Sequence, residues 1–493
     1  MNIIPPQNEG RLRAAASGVL PNGKPVVVNA DGTVSVVDES TSYSVVTTKA
    51  EYSANNVNGQ VSVYDTNSDR VVIVFRDSDT SNHGTAIVGT INAASITFGA
   101  AVVFENSHSN LFGITFDSTN NKIVISYRDE GDSGKGKAVV GTVDPSDNSI
   151  SFGTPATFNS GSTFNTSAAF DTNTGKSVIV YRDGGNSNYG TAVTATISGT
   201  SISFGSETVY ESADTRHSGI VYDSNAQKLL IVYRDDGNTG RGTALVASVS
   251  GTSISFGSAV VFYSVDNGIG SYDIRTVYDA SAQKVVIFWD GAVAKKGLAI
   301  VGTISGTSVS FGDLAEADGN QTQLADGRIF GGIEFMGSVT FDTTRNKSVF
   351  SYRSGADSFG YVNAGTVTGT SISFDSRVKI ETGYYFSCAY SPDADRTSIA
   401  FRDADNDGAT VVFPGTGPNL TAENYIGMSS GGQVASGSSA TVDIIGTVNA
   451  EQSSLTAGQQ YFVQTDGTIG LTADDPSVFA GTAISSTELL VKS

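Results

Sequence analysis

Two kinds of apolar run alternate along this chain. In Leu229-Leu230-Ile231-Val232-Tyr233 the apolar residues follow one another without a break, which predicts a strand covered on both faces. In Ser253-Ile254-Ser255-Phe256 they alternate with serine, which predicts a strand with one face in solvent. A short run closing on an aromatic-Asp pair (Tyr222-Asp223) precedes the first kind, and a post-glycine run (Ala244-Leu245-Val246-Ala247) lies between the two. This set of four runs recurs seven times, opening at Tyr64, Phe116, Phe170, Tyr222, Tyr278, Phe341 and Tyr390.

Self-similarity of this length fixes the architecture before any single motif does. Four antiparallel strands per unit, repeated seven times, predict an all-β, seven-bladed β-propeller. A straight β-solenoid uses the same residues but has shorter rungs. Gly is abundant and β-branched residues dominate the apolar runs, so no regular helix is expected. The seventh unit stops at Pro414 without a fourth strand, while a spare strand, Tyr43-Ser44-Val45-Val46-Thr47-Thr48, precedes the first. That N-terminal strand is expected to pair with the last blade and close the ring, removing its free edge.

The propeller is placed at residues 41–417, with an N-terminal arm and hairpin at 1–40 and a small β domain at 418–493. In the arm, Val26-Val27-Val28, the turn Asn29-Ala30-Asp31-Gly32 and Val34-Ser35-Val36 read as a β-hairpin. The C-terminal part is short strands joined by Gly/Asp/Ser turns, the size of a small barrel or sandwich. Its segments Tyr425-Ile426-Gly427, Leu455-Thr456-Ala457-Gly458-Gln459-Gln460-Tyr461, Asp466-Gly467-Thr468 and Ala480-Gly481-Thr482-Ala483 resemble a small β module of bacteriophage virion proteins, found in tail-fibre and particle-surface components. The hairpin is similar to a segment that accompanies such modules. The resemblance covers under a quarter of the chain and implies a structural or adhesive role on a particle, with no catalytic residues to carry over. The two ends read either as one domain with the propeller inserted in it or as two separate pieces.

Composition narrows the partners. A formal charge of −20 argues against nucleic acid, whose phosphates need a basic face, although an acidic surface also serves solubility alone. One cysteine, Cys388, excludes an intramolecular disulfide framework. No apolar stretch is long enough to span a bilayer, and Met1-Asn2-Ile3-Ile4-Pro5-Pro6 lacks the form of a secretory signal. Assembly in a host cytoplasm into a virion fits these features, as does a cytoplasmic protein.

The seven copies act as an internal control on function. Turns on one face are nearly identical: the first-to-second turn runs from Asp to a basic residue, and the third-to-fourth is Gly-Thr-Ser at Gly199, Gly251, Gly306 and Gly369. On the other face, the residue before a repeating glycine reads His83, Lys135, Tyr189, Arg241, Lys296, Phe359 and Asp407. The crossovers between blades also diverge and contribute His217, Tyr272, Tyr384 and Tyr385. In the fifth unit Trp289-Asp290 stands where others have Arg-Asp, and a long insertion at 313–337 carries Arg328. Candidate ligand-binding residues are therefore His83, Lys135, Tyr189, His217, Arg241, Tyr272, Trp289, Lys296, Arg328, Tyr384 and Tyr385. A rigid frame with variable loops is how binding surfaces are built; relaxed drift at loop tips gives the same variation, and Trp289 reads equally as a blade-packing residue.

Other chemistry is thinly supported. Asp403, Asp405 and Asp407 match the first half of a calcium loop, but position twelve is Pro414 instead of Glu, so calcium competes with an acidic turn that needs no metal. The three histidines fall in three different blades, which does not suit zinc. The Arg-Asp pairs recur in five copies and read as scaffold, ordering loops or bridging blades. No sialidase-type Trp turn is present, and the serine-rich stretch near Gly437 offers no strand-to-helix nucleophile elbow. The expectation is a non-enzymatic phage virion protein, of tail-fibre or receptor-binding type, without a required cofactor. The propeller would meet host-surface glycan or protein and the terminal β domain other virion proteins, as a monomer or homo-oligomer. A decoration protein contacting only virion proteins and a glycan-cleaving propeller are the alternatives.

Overall fold

The computed structural model describes residues 10–29, 32–37, 39–42, 46–92, 95–270, 274–291, 296–316, 337–354, 358–420, 423–464, 466–474 and 477–492. The chain divides into two compact units. One is Tyr43–Gly415; the other joins the two ends, Met1–Ser42 with Thr416–Ser493. Among the described residues the elements are β-strands and two single 3-10 turns.

The larger unit is a β-propeller. In the third blade the strands Lys176–Asp183, Tyr189–Ser198 and Ser201–Phe204 run antiparallel. Its second strand is sealed on both sides, with Val178, Ile179, Val180 and Tyr181 fully buried. The fourth strand shows the alternation expected of it, Ile202 inward and Ser201 and Ser203 outward. Inner strands from all seven blades surround one axial cavity of about 150 Å³, to which Val61, Gly113, Ser167, Gly219, Arg275, Ser338 and Ser387 contribute from equivalent positions.

In four blades the inner strand is not the short, separate element that the sequence suggests, whereas Arg275–Asp279 and Ser338–Asp342 are. Thr208–Asp223 is one continuous strand with two memberships. Its first half pairs with Tyr189–Ser198 as the outer edge of one blade, and its second half pairs with Lys228–Asp235 as the inner strand of the next. Val102–Asp117, Ala156–Asp171 and Val378–Ser391 do the same. At these four places the crossover that the sequence reads as a loop is extended chain.

The ring closes in the last blade through an N-terminal strand, at a register later than the sequence implies. Ala50–Ser53 pairs with Gly408–Phe413, and Thr47 exchanges bonds with Val412 on either side of it. Residues 43–45 lie outside the described residues. Tyr52 explains the register. It takes the outer-strand aromatic place, facing Gly408 as Phe104 faces Gly84 and Tyr210 faces Gly190.

Those outer-strand aromatics tie each blade to the next. Tyr52 meets Phe75, Phe104 meets Tyr127, Phe158 meets Tyr181 and Tyr210 meets Tyr233, with ring centroids 5.3, 5.3, 5.1 and 5.3 Å apart. Each pair is worth roughly 0.5–1.5 kcal/mol beyond its buried area. A glycine after the fourth strand lets the seams close. A Cβ at Gly153, Gly205 or Gly257 would overlap the carbonyl oxygen of Thr200, Thr252 or Thr307 in the following blade.

In the smaller unit the two chain ends share a sheet, ordered Arg11–Ala15, Ser439–Asp443, Tyr425–Ser430, Pro25–Val28, Val34–Val36. A second five-stranded sheet is built from Val448–Asn449, Leu489–Val491, Val478–Ala483, Gln460–Val463 and Ile469–Gly470. Val27, Tyr425, Met428, Tyr461, Val463 and Val491 form one core in this unit, and Leu20, Val26, Val34 and Val442 belong to another.

Candidate functional site

The variable face of the ring rests on the repeating Arg-Asp pair that ends the second strand. The Asp side chain turns back onto its own loop. Asp77 accepts from the N–H groups of Asp79 and Thr80, Asp129 from Gly131, Asp183 from Gly185, Asp235 from Asn238, and Asp403 from Asp405 and Asp407. These are Asx turns, in which a carboxylate holds the loop backbone. All five aspartates are buried.

The Arg reaches sideways to the crossover that leaves its blade. Arg128 donates to Ser162 Oγ and the Thr163 carbonyl at 2.7 and 2.9 Å. Arg182 grips Asp214 with two bonds of 2.7 and 3.2 Å. Arg234 donates to the Ile269 carbonyl at 2.8 Å, and Arg402 to Asn58 Oδ1 at 2.6 Å. Arg76 lies 3.4 Å from His108 Nε2. Planar guanidinium groups making several charge-assisted bonds are well suited to such a clamp.

Five of the crossovers bulge as they become inner strands. Gly59, Leu111, Asn165, His217 and Tyr385 all adopt left-handed φ between 50° and 65°, and pairing slips register there. Each stands five residues before its blade's aromatic-Asp or aromatic-Ser pair. For the four residues with a Cβ this conformation costs roughly 1–2 kcal/mol each, an outlay that the flanking clamp holds in place. The bulges re-aim side chains where the inner strands begin.

The candidate residues sort into three groups. His217 and Tyr385 come together as equivalent members of the bulge ring. His83, Lys135, Tyr189 and Arg241 each begin the third strand of their own blade, forming an outer arc over four successive blades. In that arc Lys135 pairs with Asp132 of its own loop at 2.9 Å and Arg241 with Asp266 at 2.8 Å; both pairs are solvent-accessible and weak.

The third group is structural. Trp289 is fully buried and packs on Phe262 and Tyr263, with ring centroids 5.2 Å away in both cases. It takes the blade-packing place of Tyr127, Tyr181 and Tyr233, so Asp290 stands where the other blades have the clamping Arg and Gly291 where they have the Asp. Trp289 therefore cannot meet a ligand. Tyr384 lies between the guanidiniums of Arg353 and Arg402, 4.3 and 4.7 Å from its ring centre, and its OH accepts from Arg353 at 3.3 Å. It belongs to the clamp. Lys296 opens the third strand of the fifth blade. Tyr272 and Arg328 lie outside the described residues.

The structure redraws the acidic set that the sequence reads as half a calcium loop. The converging carboxylates are Glu51, Asp403 and Asp407, and Asp405 is not among them. The Lys49 ammonium pairs with two of them, 2.8 Å from Asp403 and 3.8 Å from Glu51, with its pKa raised chiefly by the Asp403 bond. A side-chain cation already supplies the charge that a metal would bring.

Two blade seams treat buried acid differently. At the second blade, Tyr127 donates to Glu105 at 2.8 Å, and Lys137 binds the neighbouring Asp129 at 2.6 Å. Burial works to raise the Asp129 pKa, but bonds from Lys137 and Ser107 outweigh it and hold the carboxyl below its ordinary value. At the fourth blade Tyr233 donates to Glu211 at 3.0 Å, and Thr243 stands where Lys137 does. There burial, and then the Glu211 charge, push Asp235 up. The sequence reading missed Glu105, Glu211 and the bulge that His217 and Tyr385 share with Gly59, Leu111 and Asn165. Aligning the copies residue by residue, and not only by motif, would have found all three.

No family profile and no curated protein sequence matches this chain. Among solved structures it is similar to a chain of the mitotic checkpoint complex, at 8% identity and a TM-score of 0.45, over 74% of this chain and 95% of that one. It is also similar to a protein of unknown function from Dyadobacter fermentans, at 10% identity and a TM-score of 0.43, over 80% and 98% of the two chains. The Dos1 propeller is similar at 10% identity and a TM-score of 0.40, over 80% and 82%.

Proposed function

We propose that this protein is a non-enzymatic bacteriophage virion component, of tail-fibre or receptor-binding type, whose propeller engages host-surface glycan or protein through its variable face. The unit built from the chain ends attaches it to other virion proteins. One observation carries the reading. A repeated Asp side chain fixes the loop backbone of blade after blade, while the residues displayed at one equivalent position, His83, Lys135, Tyr189 and Arg241, all differ. Holding a backbone rigid while its display varies lowers the ordering cost of binding. The phage setting is supported by the resemblance of the terminal segments to a virion module.

Absence of catalysis is part of the proposal, and it too has support. The buried aspartates nearest the variable face are committed to loop N–H groups, not aimed as an acid–base pair. The test is binding of the purified full chain to intact candidate host cells, beside a variant carrying Tyr189, His217, Arg241 and Tyr385 all changed to Ala. Saturable binding that the folded variant loses supports the reading. If neither protein binds, the variable face belongs to a contact with other virion proteins. Release of new reducing ends from cell-surface glycan would reveal an enzyme.

A further inference from the structure

The clamp arginine of the first blade lacks the counter-charge that its equivalents have. In the next three blades the clamp's Nε donates to a carboxylate: Arg128 to Glu130 at 2.7 Å, Arg182 to Asp214 at 2.7 Å and Arg234 to Asp236 at 2.6 Å. Two sequence positions supply those acids. Glu130 and Asp236 stand two residues after the arginine, and Asp214 stands four residues after the outer-strand aromatic Tyr210. In the first blade these positions hold Ser78 and His108. Arg76 Nε is accordingly buried without a hydrogen-bond partner. Among the described residues the guanidinium has one such neighbour, His108 Nε2, at a long 3.4 Å. A buried donor left unpaired is rare and points to a bound group at that place. Arg402 Nε is also unbonded, but its guanidinium bonds Asn58 and lies over the rings of Tyr384 and Tyr385, 4.7 and 5.2 Å from their centres.

The same blade adds a second imidazole. His83 opens the third strand, and its partner across the ladder is His108, so two of the three histidines in the chain stand side by side. Arg76, His83 and His108 are all partly exposed. The carboxylates around them are committed elsewhere. Asp77 accepts from its loop N–H groups and Asn55, Asp79 from the Asn56 N–H, Glu105 from the Tyr127 hydroxyl and Glu130 from Arg128. We infer that Arg76, His83 and His108 form an oxyanion subsite for a sulfate or phosphate ester carried by a host glycan. The assignment rests on the glycan-binding form of the proposed function and names its ligand class. A guanidinium takes two ester oxygens at once, and imidazole N–H groups arriving from two other strands suit the remaining corners of a tetrahedral group. The ester exchanges the long His108 contact for short charge-assisted bonds. Its oxygen does for Arg76 what the protein's own carboxylates do for Arg128, Arg182 and Arg234.

The test is calorimetric titration of the full chain with the 6-sulfate and the 6-phosphate of D-glucose, with D-glucose itself and with inorganic sulfate. Saturable binding of the esters is expected, with no binding of glucose and weaker binding of inorganic sulfate. Binding of one ester alone supports the subsite and identifies its group. Arg76→Gln is expected to weaken the esters at least tenfold. His108→Asp, which copies the residue at Asp214 and gives Arg76 an internal carboxylate, is expected to do the same. It keeps the question answerable if Arg76→Gln folds poorly. Ester binding of equal strength in the folded variants, or none in the wild type, overturns the inference. Inorganic sulfate as tight as the esters overturns the sugar assignment. If the esters fail while the wild-type chain still binds host cells, the subsite is refuted and the receptor-binding reading stands; loss of both refutes both.

Discussion

Phe262 meets the indole of Trp289 nearly edge-on across the seam between the fourth and fifth blades, with 70° between the ring planes. The same relationship recurs at four other seams with Tyr or Phe in the tryptophan's place. The one tryptophan of the chain is thus a larger version of a repeated packing residue.

Trp289→Ala should therefore cost about 3–5 kcal/mol, the range for emptying an aromatic core site. Trp289→Tyr, which copies four other blades, should cost far less. Urea unfolding of the two variants measures the difference, and host-cell binding per folded molecule should be unchanged in the Tyr variant.

Gly257→Ala should destabilise by about 1–3 kcal/mol, because the added methyl meets the Thr307 carbonyl of the next blade, which can yield only by moving backbone. Thermal unfolding reads this directly. A neutral result would mean that the seams are slacker than the geometry indicates.

Arg182→Met removes the two bonds that hold Asp214. A global loss of about 1–2 kcal/mol is expected, at the low end for charge-assisted bonds because both groups are partly exposed. The sharper signature is local. Amide exchange should accelerate at residues 214–217, where the bulge carrying His217 loses its anchor, and not in the second blade.

Glu211→Gln should stabilise the protein at pH 7. Burial and the Glu211 charge raise the folded-state pKa of Asp235, so the folded protein holds that proton to higher pH than the unfolded chain. The penalty is absent below the ordinary carboxylate pKa, grows as pH climbs from there to the raised folded value, and is fully present above it. Gln keeps an acceptor for the Tyr233 hydroxyl while removing the charge. Melting temperatures of variant and wild type should differ at pH 7 and converge near pH 3. Lys137→Met should do the opposite at neutral pH, leaving Asp129 buried without its cation.

The ring was legible because its signals are local and repeated. An unbroken, turn-bounded run such as Leu229 to Tyr233 is too short for a helix and reads as a strand covered on both faces, and seven copies exclude accident. The turn chemistry was legible for the same reason, since Asp223 accepting from Asn225 and Ala226 is a local bond. What escaped was whatever depends on a neighbouring blade. Nothing in Ala50-Glu51-Tyr52 resembles a β-branched edge strand, yet Tyr52 packs on Phe75 of the first blade and fixes the closing register. Trp289 stands out by residue type and recedes once its seam partners are known. Asp403, Asp405 and Asp407 look like metal ligands until Lys49, some 350 positions away in sequence, pairs with Asp403.

The closing strand has a mechanical corollary. The chain enters the ring beside Thr47 and leaves it just past Phe413, and these points lie at the same end of one antiparallel pair, where Thr47 bonds Val412. Tension applied to the two ends of the ring would load that pair one rung at a time, beginning with Thr47–Val412, and would not shear all its rungs together. The propeller would open by unzipping from its seventh blade, at low force, leaving the other six blades as an intact arc.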